Sequence, residues 1–585
     1  MYGQILPHRA DAILGRELRG GWGVMRARSI ERVAGSAYVW LPMLVVVALA
    51  APSIPYLLPN YACYLGESYQ PLRALRFFQT LGQDFHKYGP MANLLLAPGY
   101  ALSIAGWWLS GAFANPSGDF PYGLERPLEQ LSFLIVQGRV LFLALFVALF
   151  AYLLRSLHAA GASRWAVALA FLFCVATNYC AVGFAAFTRP DGPMFALFGA
   201  SLGVYVRILH DGLTLHRGVW LSILAVCAIS SKEIAGPAYV LPYLGLLGVA
   251  AGEIRARPER RAELLRAVAW TLGAGVGAYL VLNVIYAPAN WWLRMSHWLG
   301  GSGADSAVWG GLGSGAMTES GFARLLAETF VNNLGPGGTG VVLLSLGALA
   351  FARPRQALLL VLPVVSVTAL GLIPLGYGSD HFTAVAAVAL VPPVAFGLDA
   401  LFARARSTAL RAALGAALGL ALAVNLAFAN FAWIRLDGLY HRTVERALEE
   451  DPPGDRSISM AEVYPEVPGK SRLTWLGYRV DPKSLQQIMD APPAERPDRI
   501  YLYSGMRGFI EQARSQPARA EMLALEGLDV SRWNGIEPLG YRLRSTLETR
   551  TPAWFRFDWM PAVELWRRLG PVFVYERVGA APRAE

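Results

Sequence analysis

Residues 131–154 read LSFLIVQGRVLFLALFVALFAYLL, and Arg139 is their only charged side chain. An apolar run of about 20 residues is long enough to cross the hydrocarbon core of a bilayer as an α-helix. Similar runs recur along the chain as far as residue 434. The sequence therefore predicts a mainly α-helical, polytopic membrane protein.

The composition agrees with this class. Of the 585 residues, 55% are hydrophobic and 16% are charged, whereas soluble chains carry about 25% charged residues. The net charge of +10 is spread over short loops between the apolar runs: Arg155 and Arg164, Arg207 and Arg217, Arg255 to Arg266, Arg353 and Arg355, and Arg404, Arg406 and Arg411. This spacing is the positive-inside pattern. The charge therefore indicates topology and not nucleic-acid binding.

Placing the arginine loops in the cytoplasm gives about eleven spans. We expect them near residues 38–58, 131–154, 165–187, 192–209, 218–233, 236–252, 266–286, 337–352, 356–376, 381–401 and 409–433. Residues 1–37 are then a basic cytoplasmic N-terminus, and residues 59–130 form the first outer loop. The first apolar run also resembles a signal peptide, because it contains Ala-Leu-Ala ending at Ala50. It continues past that point, which favours a retained span.

Residues 91–113 are apolar enough for a further span, but a span there would strand every later arginine loop outside. We therefore expect an amphipathic or re-entrant helix on the outer surface. The glycine-rich segment 297–320 is a predicted outer loop, either a substrate gate or a connector.

Residues 435–585 carry charge, proline and alternating patterns but no span, which predicts a small soluble α/β domain on the outer face. Within it, residues 499–503 and 572–575 are predicted strands, and residues 509–514 and 518–525 are predicted short helices. The region has no nucleotide or metal motif. The four cysteines, Cys63, Cys174, Cys180 and Cys227, lack metal-ligand spacing and are expected to pack as small apolar residues.

Ionisable side chains collect where predicted spans end on the outer face, and charges near a bilayer are commonly functional. The first outer loop carries Glu67, then Asp84, His86, Lys87 and Tyr88. A partly desolvated carboxylate there could act as a general base toward a hydroxyl group, and lysine offers a point charge suited to phosphate. A solvated loop charge is the alternative interpretation of Glu67.

Two further motifs stand at the outer ends of spans. Arg189-Pro190-Asp191 forms a tight turn, which is either a helix-capping corner closed by Asp191 or a place where Arg189 contacts phosphate or sugar. Asp380-His381 begins a late span, where the histidine is either an interface anchor or part of a site.

Lysine is scarce in this chain. Outside the C-terminal Lys470 and Lys483, it occurs only at Lys87 and Lys232, both on the predicted outer face. Lys232-Glu233 is either a self-neutralising pair at a hinge or a functional group. The choice of lysine in an arginine-rich chain favours a role that the larger guanidinium fork would not fill.

These motifs together resemble a known family. Gly66-Glu67-Ser68-Tyr69, followed by Asp84 and Lys87-Tyr88-Gly89-Pro90-Met91, is similar to the first periplasmic loop of the GT-C glycosyltransferases, which include the protein O-mannosyltransferases and the aminoarabinose transferases. In that family the loop leads into a juxtamembrane helix, which would account for residues 91–113. A soluble C-terminal domain is also common there.

The resemblance continues through residues 38–434. Arg189-Pro190-Asp191 resembles the family's Arg-Pro-Asp turn and Ser231-Lys232-Glu233 its lysine hinge, while Arg139 and Asp380-His381 match more loosely. One departure concerns catalysis, since Gly66 stands where the family has its first acidic residue, usually the catalytic aspartate. The base would then be Glu67, or Asp84 reaching in, or the activity would be lost.

The resemblance implies a glycosyltransferase of the bacterial inner membrane, with its active site facing the periplasm. It would take a polyprenyl-phosphate-linked sugar and pass it to a protein, lipid or polysaccharide hydroxyl. The implied catalytic residues are Glu67 and Asp84, and the implied substrate-binding residues are His86, Lys87, Tyr88, Arg139, Arg189, Asp191, Lys232, Glu233, Asp380 and His381. The need for a divalent cation stays open, because no set of side chains has the spacing of metal ligands.

Two other classes fit parts of the sequence. A secondary transporter or lipid flippase would place ionisable groups near the bilayer midplane and often shows inverted repeats, and no repeat is evident here. A non-catalytic scaffold of the cell envelope would account for Gly66.

Overall fold

The computed structural model describes residues 23–51, 54, 89–115, 122–300, 319–373 and 380–434 and, with short gaps, 443–460, 478–548 and 571–579. Of the predicted site residues, Glu67, Asp84, His86, Lys87 and Tyr88 lie outside the described residues.

Helices dominate the described chain up to residue 434. In order they are α1 (Gly23–Ala50), α2 (Met91–Ser110), α3 (Pro127–Ala159), α4 (Arg164–Phe171), α5 (Tyr179–Ala185), α6 (Asp191–Asp211), α7 (Leu215–Ser231), α8 (Pro237–Ala256), α9 (Arg261–Tyr279), α10 (Pro288–Gly300), α11 (Glu319–Ala352), α12 (Pro354–Val367), α13 (Asp380–Ala389), α14 (Val391–Arg404) and α15 (Thr408–Ile434). Three of them continue into π-helical turns, α4 over Leu172–Ala176, α9 over Leu280–Ile285 and α12 over Thr368–Leu372. Helix α11 is broken at Gly335, where φ is 70°.

Six helices in the described part are long and apolar enough to cross a membrane, or eight if two bent pairs each form one span. Every predicted span overlaps a helix, but residues 36–50, 164–176 and 215–231 form shorter apolar helices. The prediction of a mainly helical, membrane-type fold is confirmed at this level. The number of spans and their orientation stay predictions.

Helix α6 lies at the centre of the bundle, with almost every side chain buried. It packs between α3 and α7. Gly199 permits the close approach to α3, because a Cβ atom there would lie 2.7 Å from Cε1 of Phe150. This packing fixes the first residue of α6, Asp191, at one end of the bundle.

Helix α2 corresponds to the segment that was expected to lie on the surface. Leu96 and Tyr100 are buried in the cluster that α2 forms with α3. Leu102, Trp108 and Leu109 are exposed, at 83%, 66% and 79%. Both faces of α2 are therefore apolar, which suits a helix in contact with lipid better than an amphipathic one.

The C-terminal region contains a five-stranded mixed sheet of order β2-β1-β3-β5-β4. Its strands are β1 (Ser457–Met460), β2 (Arg479–Val480), β3 (Arg499–Tyr503), β4 (Tyr541–Leu547) and β5 (Val572–Arg577), and its α-helices include α16 (Leu485–Asp490) and α17 (Ser504–Ala513). Strand β1 runs parallel to β2 and β3, whereas β5 runs antiparallel to β3 and β4. The predicted strand 499–503 coincides with β3 and the predicted strand 572–575 lies within β5. That this region is an independent domain stays a prediction.

Candidate functional site

Two of the predicted motifs meet at one end of the bundle. The ammonium Nζ of Lys232 lies 2.6 Å from Oδ1 of Asp191, and Nε of Arg189 lies 3.1 Å from Oδ2 of the same carboxylate. All three side chains are buried, Asp191 completely. A buried charge is stable only when it is paired and hydrogen-bonded. Asp191 therefore holds two cations in fixed positions.

The turn before α6 explains how Asp191 reaches both cations. Pro190 is the N-cap residue of α6 and makes no side-chain cap. Asp191 is the first helical residue, where the helix dipole favours a carboxylate. Its carboxylate binds both Arg189 and Lys232, and a capping role for Asp191 stays a prediction.

Lys232 ends α7 in an extended conformation, with φ −155° and ψ 127°. This break in the helix turns the side chain toward α6. Its Nζ also lies 5.1 Å from the ring centroid of Phe382, in the first turn of α13, which is within cation–π range. The lysine thus joins the ends of three helices.

Glu233 makes its ion pair with a residue of another helix, in addition to standing beside Lys232. Its Oε1 lies 3.1 Å from Nε of Arg294 in α10. Nη2 of Arg294 donates to Oδ1 of Asn283 at 3.4 Å, and Nδ2 of Asn283 donates to Oγ of Ser230 at 2.7 Å. A second buried charge pair therefore lies beside the first.

Arg294 was not among the predicted site residues. It is 3% exposed, and it stands in the segment Trp291-Trp292-Leu293-Arg294, in a loop that the arginine pattern assigns to the outer face. The predicted topology places few arginines on the outer face, so the occurrence of Arg294 there was the signal that could have identified it.

Gly89, two residues before α2, packs directly on this hinge. A Cβ atom at Gly89 would lie 2.6 Å from the Ser230 carbonyl carbon, so only glycine fits there. The Gly89 backbone N–H faces the Glu233 carboxylate. The glycine at position 89 therefore has a steric reason. Lys87 and Tyr88, which precede Gly89, lie outside the described residues.

Arg139 lies next to the same turn, fully buried in α3. Its Nη1 donates to the carbonyl oxygen of Ile54 at 2.8 Å, and its guanidinium stands 4.9 Å from the ring centroid of Phe187. Arg189 has a similar contact with Phe184, at 4.7 Å. Aromatic rings thus flank the cations at this end of the bundle.

The start of α13 reaches the same place. Asp380 and His381 are its first residues, and nothing further is described of their side chains. Two residues on, Oγ1 of Thr383 accepts a hydrogen bond of 2.6 Å from Nδ2 of Asn333. Both are buried polar residues that sequence reasoning missed, since a single asparagine or threonine in an apolar run carries no distinctive pattern.

Within the described ranges, no group of three or more His, Cys, Asp or Glu side chains could hold a metal ion. No protein-family model matches the chain, and no curated protein is similar enough to be counted as a relative.

Proposed function

We propose that this chain is an integral-membrane glycosyltransferase of the bacterial inner membrane. It would transfer a sugar from a polyprenyl-phosphate-linked donor to a hydroxyl group of a protein, lipid or polysaccharide on the periplasmic face. The observation that carries the proposal is the meeting of Arg189, Asp191 and Lys232 in one buried cluster. Asp191 and Lys232 are 41 residues apart in the chain. Their motifs were both assigned to one site from the sequence, and they contact each other directly.

The cluster suits departure of a lipid phosphate. The acceptor oxygen would lose its proton to a carboxylate and attack the anomeric carbon. Glu67 is the first candidate for this base and Asp84 is the second. The bond from that carbon to the donor phosphate breaks, and negative charge develops on the phosphate. Cations fixed in advance stabilise such charge without reorganising, and the shared Asp191 fixes Arg189 and Lys232.

The surroundings suit the lipid part of the donor. The rings of Phe184, Phe187 and Phe382 lie beside Arg189, Arg139 and Lys232. An isoprenoid chain needs apolar contacts and its phosphate needs cations, and both are present at the same helix ends. A donor held in the membrane requires no nucleotide-binding fold.

A secondary transporter is the second candidate. Lys232 and Asp191 form a buried ion pair between two neighbouring helices, and coupled transporters use such pairs in the membrane. The distinguishing measurement is substrate accumulation in sealed vesicles without formation of a product. A non-catalytic scaffold would neither accumulate substrate nor form a product.

The test is Glu67→Gln and Asp84→Asn in the purified full chain, assayed with a polyprenyl-phosphate sugar and an acceptor. A lost general base lowers the rate by about 100-fold or more. Glu129→Gln is the matched control, because Glu129 is 72% exposed at the start of α3. If both site variants transfer within a few-fold of wild type, this assignment of the base fails. If the wild type forms no product and accumulates substrate, the transporter is the better account.

A further inference from the structure

Arginines surround one carboxylate on the C-terminal sheet, far along the chain from the proposed glycosyl-transfer site. Glu576 on β5 stands directly opposite Arg499 on β3 and opposite Arg542 on β4. Side chains of directly opposed residues in a sheet lie on the same face. Three adjacent strands thus bring their charges together.

A β-bulge adds a further arginine. Leu543 pairs with Tyr575 but Ser545 pairs with Val574, so Arg544 is the extra residue in β4. Bulges commonly redirect a side chain, and here Nη1 of Arg544 lies 2.9 Å from Oε2 of Glu576. Arg542 and Arg544, two residues apart on β4, therefore both contact the Glu576 carboxylate.

The cluster contains more positive than negative charge. Arg456 bonds Oε1 of Glu576, and Arg499 and Arg542 each lie 3.9 Å from that carboxylate. Asp451 is the second acid, 2.9 Å from Arg544 and 3.4 Å from Arg499. Within the described residues, four arginines thus contact two carboxylates, which leaves two positive charges in excess.

The cluster also contains more hydrogen-bond donors than acceptors. Each guanidinium has about five N–H donors, and a carboxylate accepts at about four lone-pair positions. Arg499 is 2% exposed, and its Nε has no hydrogen-bond partner among the described residues. Arg542 and Arg544 are 73% and 38% exposed. The cluster therefore combines one buried arginine, Arg499, which retains an unbonded N–H within the described residues, with two arginines that a ligand can reach, Arg542 and Arg544.

We propose that this cluster is a binding site for an oxyanion, specifically a phosphate or diphosphate group. Arginine forks match the geometry of phosphate oxygens and bind them in a bidentate manner. An ion network that served stability alone would need no excess of exposed arginines, since exposed pairs contribute little. The phosphate would be carried by a lipid headgroup or by a soluble sugar phosphate. The site does not depend on the proposed glycosyl transfer.

The test uses the full chain in nanodiscs of phosphatidylcholine, titrated with inorganic pyrophosphate at low salt. We expect saturable binding that Arg542→Ala weakens about tenfold and Arg542→Ala with Arg544→Ala weakens further. Asp451→Asn should strengthen binding several-fold, because it releases Arg544 from a competing carboxylate. Arg532→Ala is the matched control, since Arg532 is 54% exposed in the same region and pairs with Asp490 outside the cluster.

The outcomes separate clearly. Opposite shifts for Arg542→Ala and Asp451→Asn, with no shift for Arg532→Ala, support the site. Binding that is equal in all five proteins, or no saturable binding in the wild type, overturns it. Repeating the titration with phosphatidylglycerol in the nanodiscs identifies the source: a headgroup that occupies the site weakens pyrophosphate binding to the wild type, whereas unchanged binding indicates a soluble phosphate. Unaltered thermal unfolding of Arg542→Ala excludes a folding defect as the cause.

Discussion

Lys232 and Asp191 meet at 2.6 Å across the helices α7 and α6, and Asp191 is completely buried. Each motif has a plain structural explanation when it is considered alone, as a hinge or as a capping turn. Their contact joins the two motifs, because the Asp191 carboxylate binds Arg189 of its own motif and Lys232 of the other.

We expect Asp191→Asn to destabilise the protein by about 3–5 kcal/mol, because it leaves two buried cations without their carboxylate. Combining it with Lys232→Met should recover part of the loss. Asp211→Asn, at the other end of the same helix, removes surface contacts with Arg207 and Arg217 and should cost about 0–1 kcal/mol. Thermal unfolding in detergent measures all three. Equal losses for the two aspartates would contradict the prediction.

Arg294 and Glu233 should be energetically coupled. Replacing Arg294 by methionine removes the arginine that neutralises the Glu233 carboxylate, and Glu233→Gln should offset part of the damage. Contacting buried pairs show coupling of about 0.5–3 kcal/mol in double-mutant cycles. The same cycle on the exposed pair Arg126 and Glu129, 3.6 Å apart, serves as the control and should give a much smaller value. Additive effects of the Arg294 and Glu233 variants would show that the two side chains do not act together.

Gly89→Ala should destabilise the contact between the start of α2 and the end of α7. The added methyl group would meet the Ser230 backbone, and overpacking of this kind costs about 1–3 kcal/mol. Gly106→Ala, on the exposed side of α2 with open space around it, should be neutral or slightly stabilising because alanine favours the helix. The comparison of their unfolding temperatures tests the tight contact. A harmless Gly89→Ala would mean that the contact is absent.

The C-terminal sheet should lose stability in acid through Asp498. Burial by itself would raise the pKa of this carboxyl, but hydrogen bonds from the N–H and Oγ of Ser457 and the Arg577 guanidinium bring the pKa below its usual 3.8. A lowered folded-state pKa gives stability that is present above the unfolded-state value and is lost as the pH falls through the folded-state value. The protection of the β1 and β3 amides against hydrogen exchange, relative to the intrinsic rate at each pH, should therefore fall below about pH 4.

Asp498→Asn should remove this acid dependence and speed exchange at neutral pH, since the Arg577 contact at 2.5 Å loses its charge. Asp490→Asn, at an exposed pair with Arg532, is the control. An acid transition that persists unchanged in Asp498→Asn would assign it to another group.

The sequence predicted the mainly helical class, and each predicted span overlaps a helix, because apolar runs of span length leave few alternatives. It also selected Arg189, Asp191 and Lys232, since charge is costly beside lipid. It did not predict their partners. Contacts such as Lys232 with Phe382 or Glu233 with Arg294 depend on which helices become neighbours, and an apolar pattern does not encode helix order in space.

The C-terminal sheet shows the same limit. Strands β3 and β5 are buried and rich in aromatic and branched residues, so their patterns were recognisable. Strand β4 is exposed along most of its length, and β2 has only two residues. Their strand character comes from pairing with neighbours, not from their own sequences.

The break in α11 at Gly335 bears on how the protein is made. The Leu334 carbonyl at the break accepts a hydrogen bond of 2.6 Å from Nδ2 of Asn425, which is 91 residues later in α15. A ribosome therefore releases α11 long before the residue that completes it has been synthesised. We expect this helix to remain unfinished during membrane insertion and to settle only when α15 arrives, so that the last helix of the bundle controls the maturation of an earlier one.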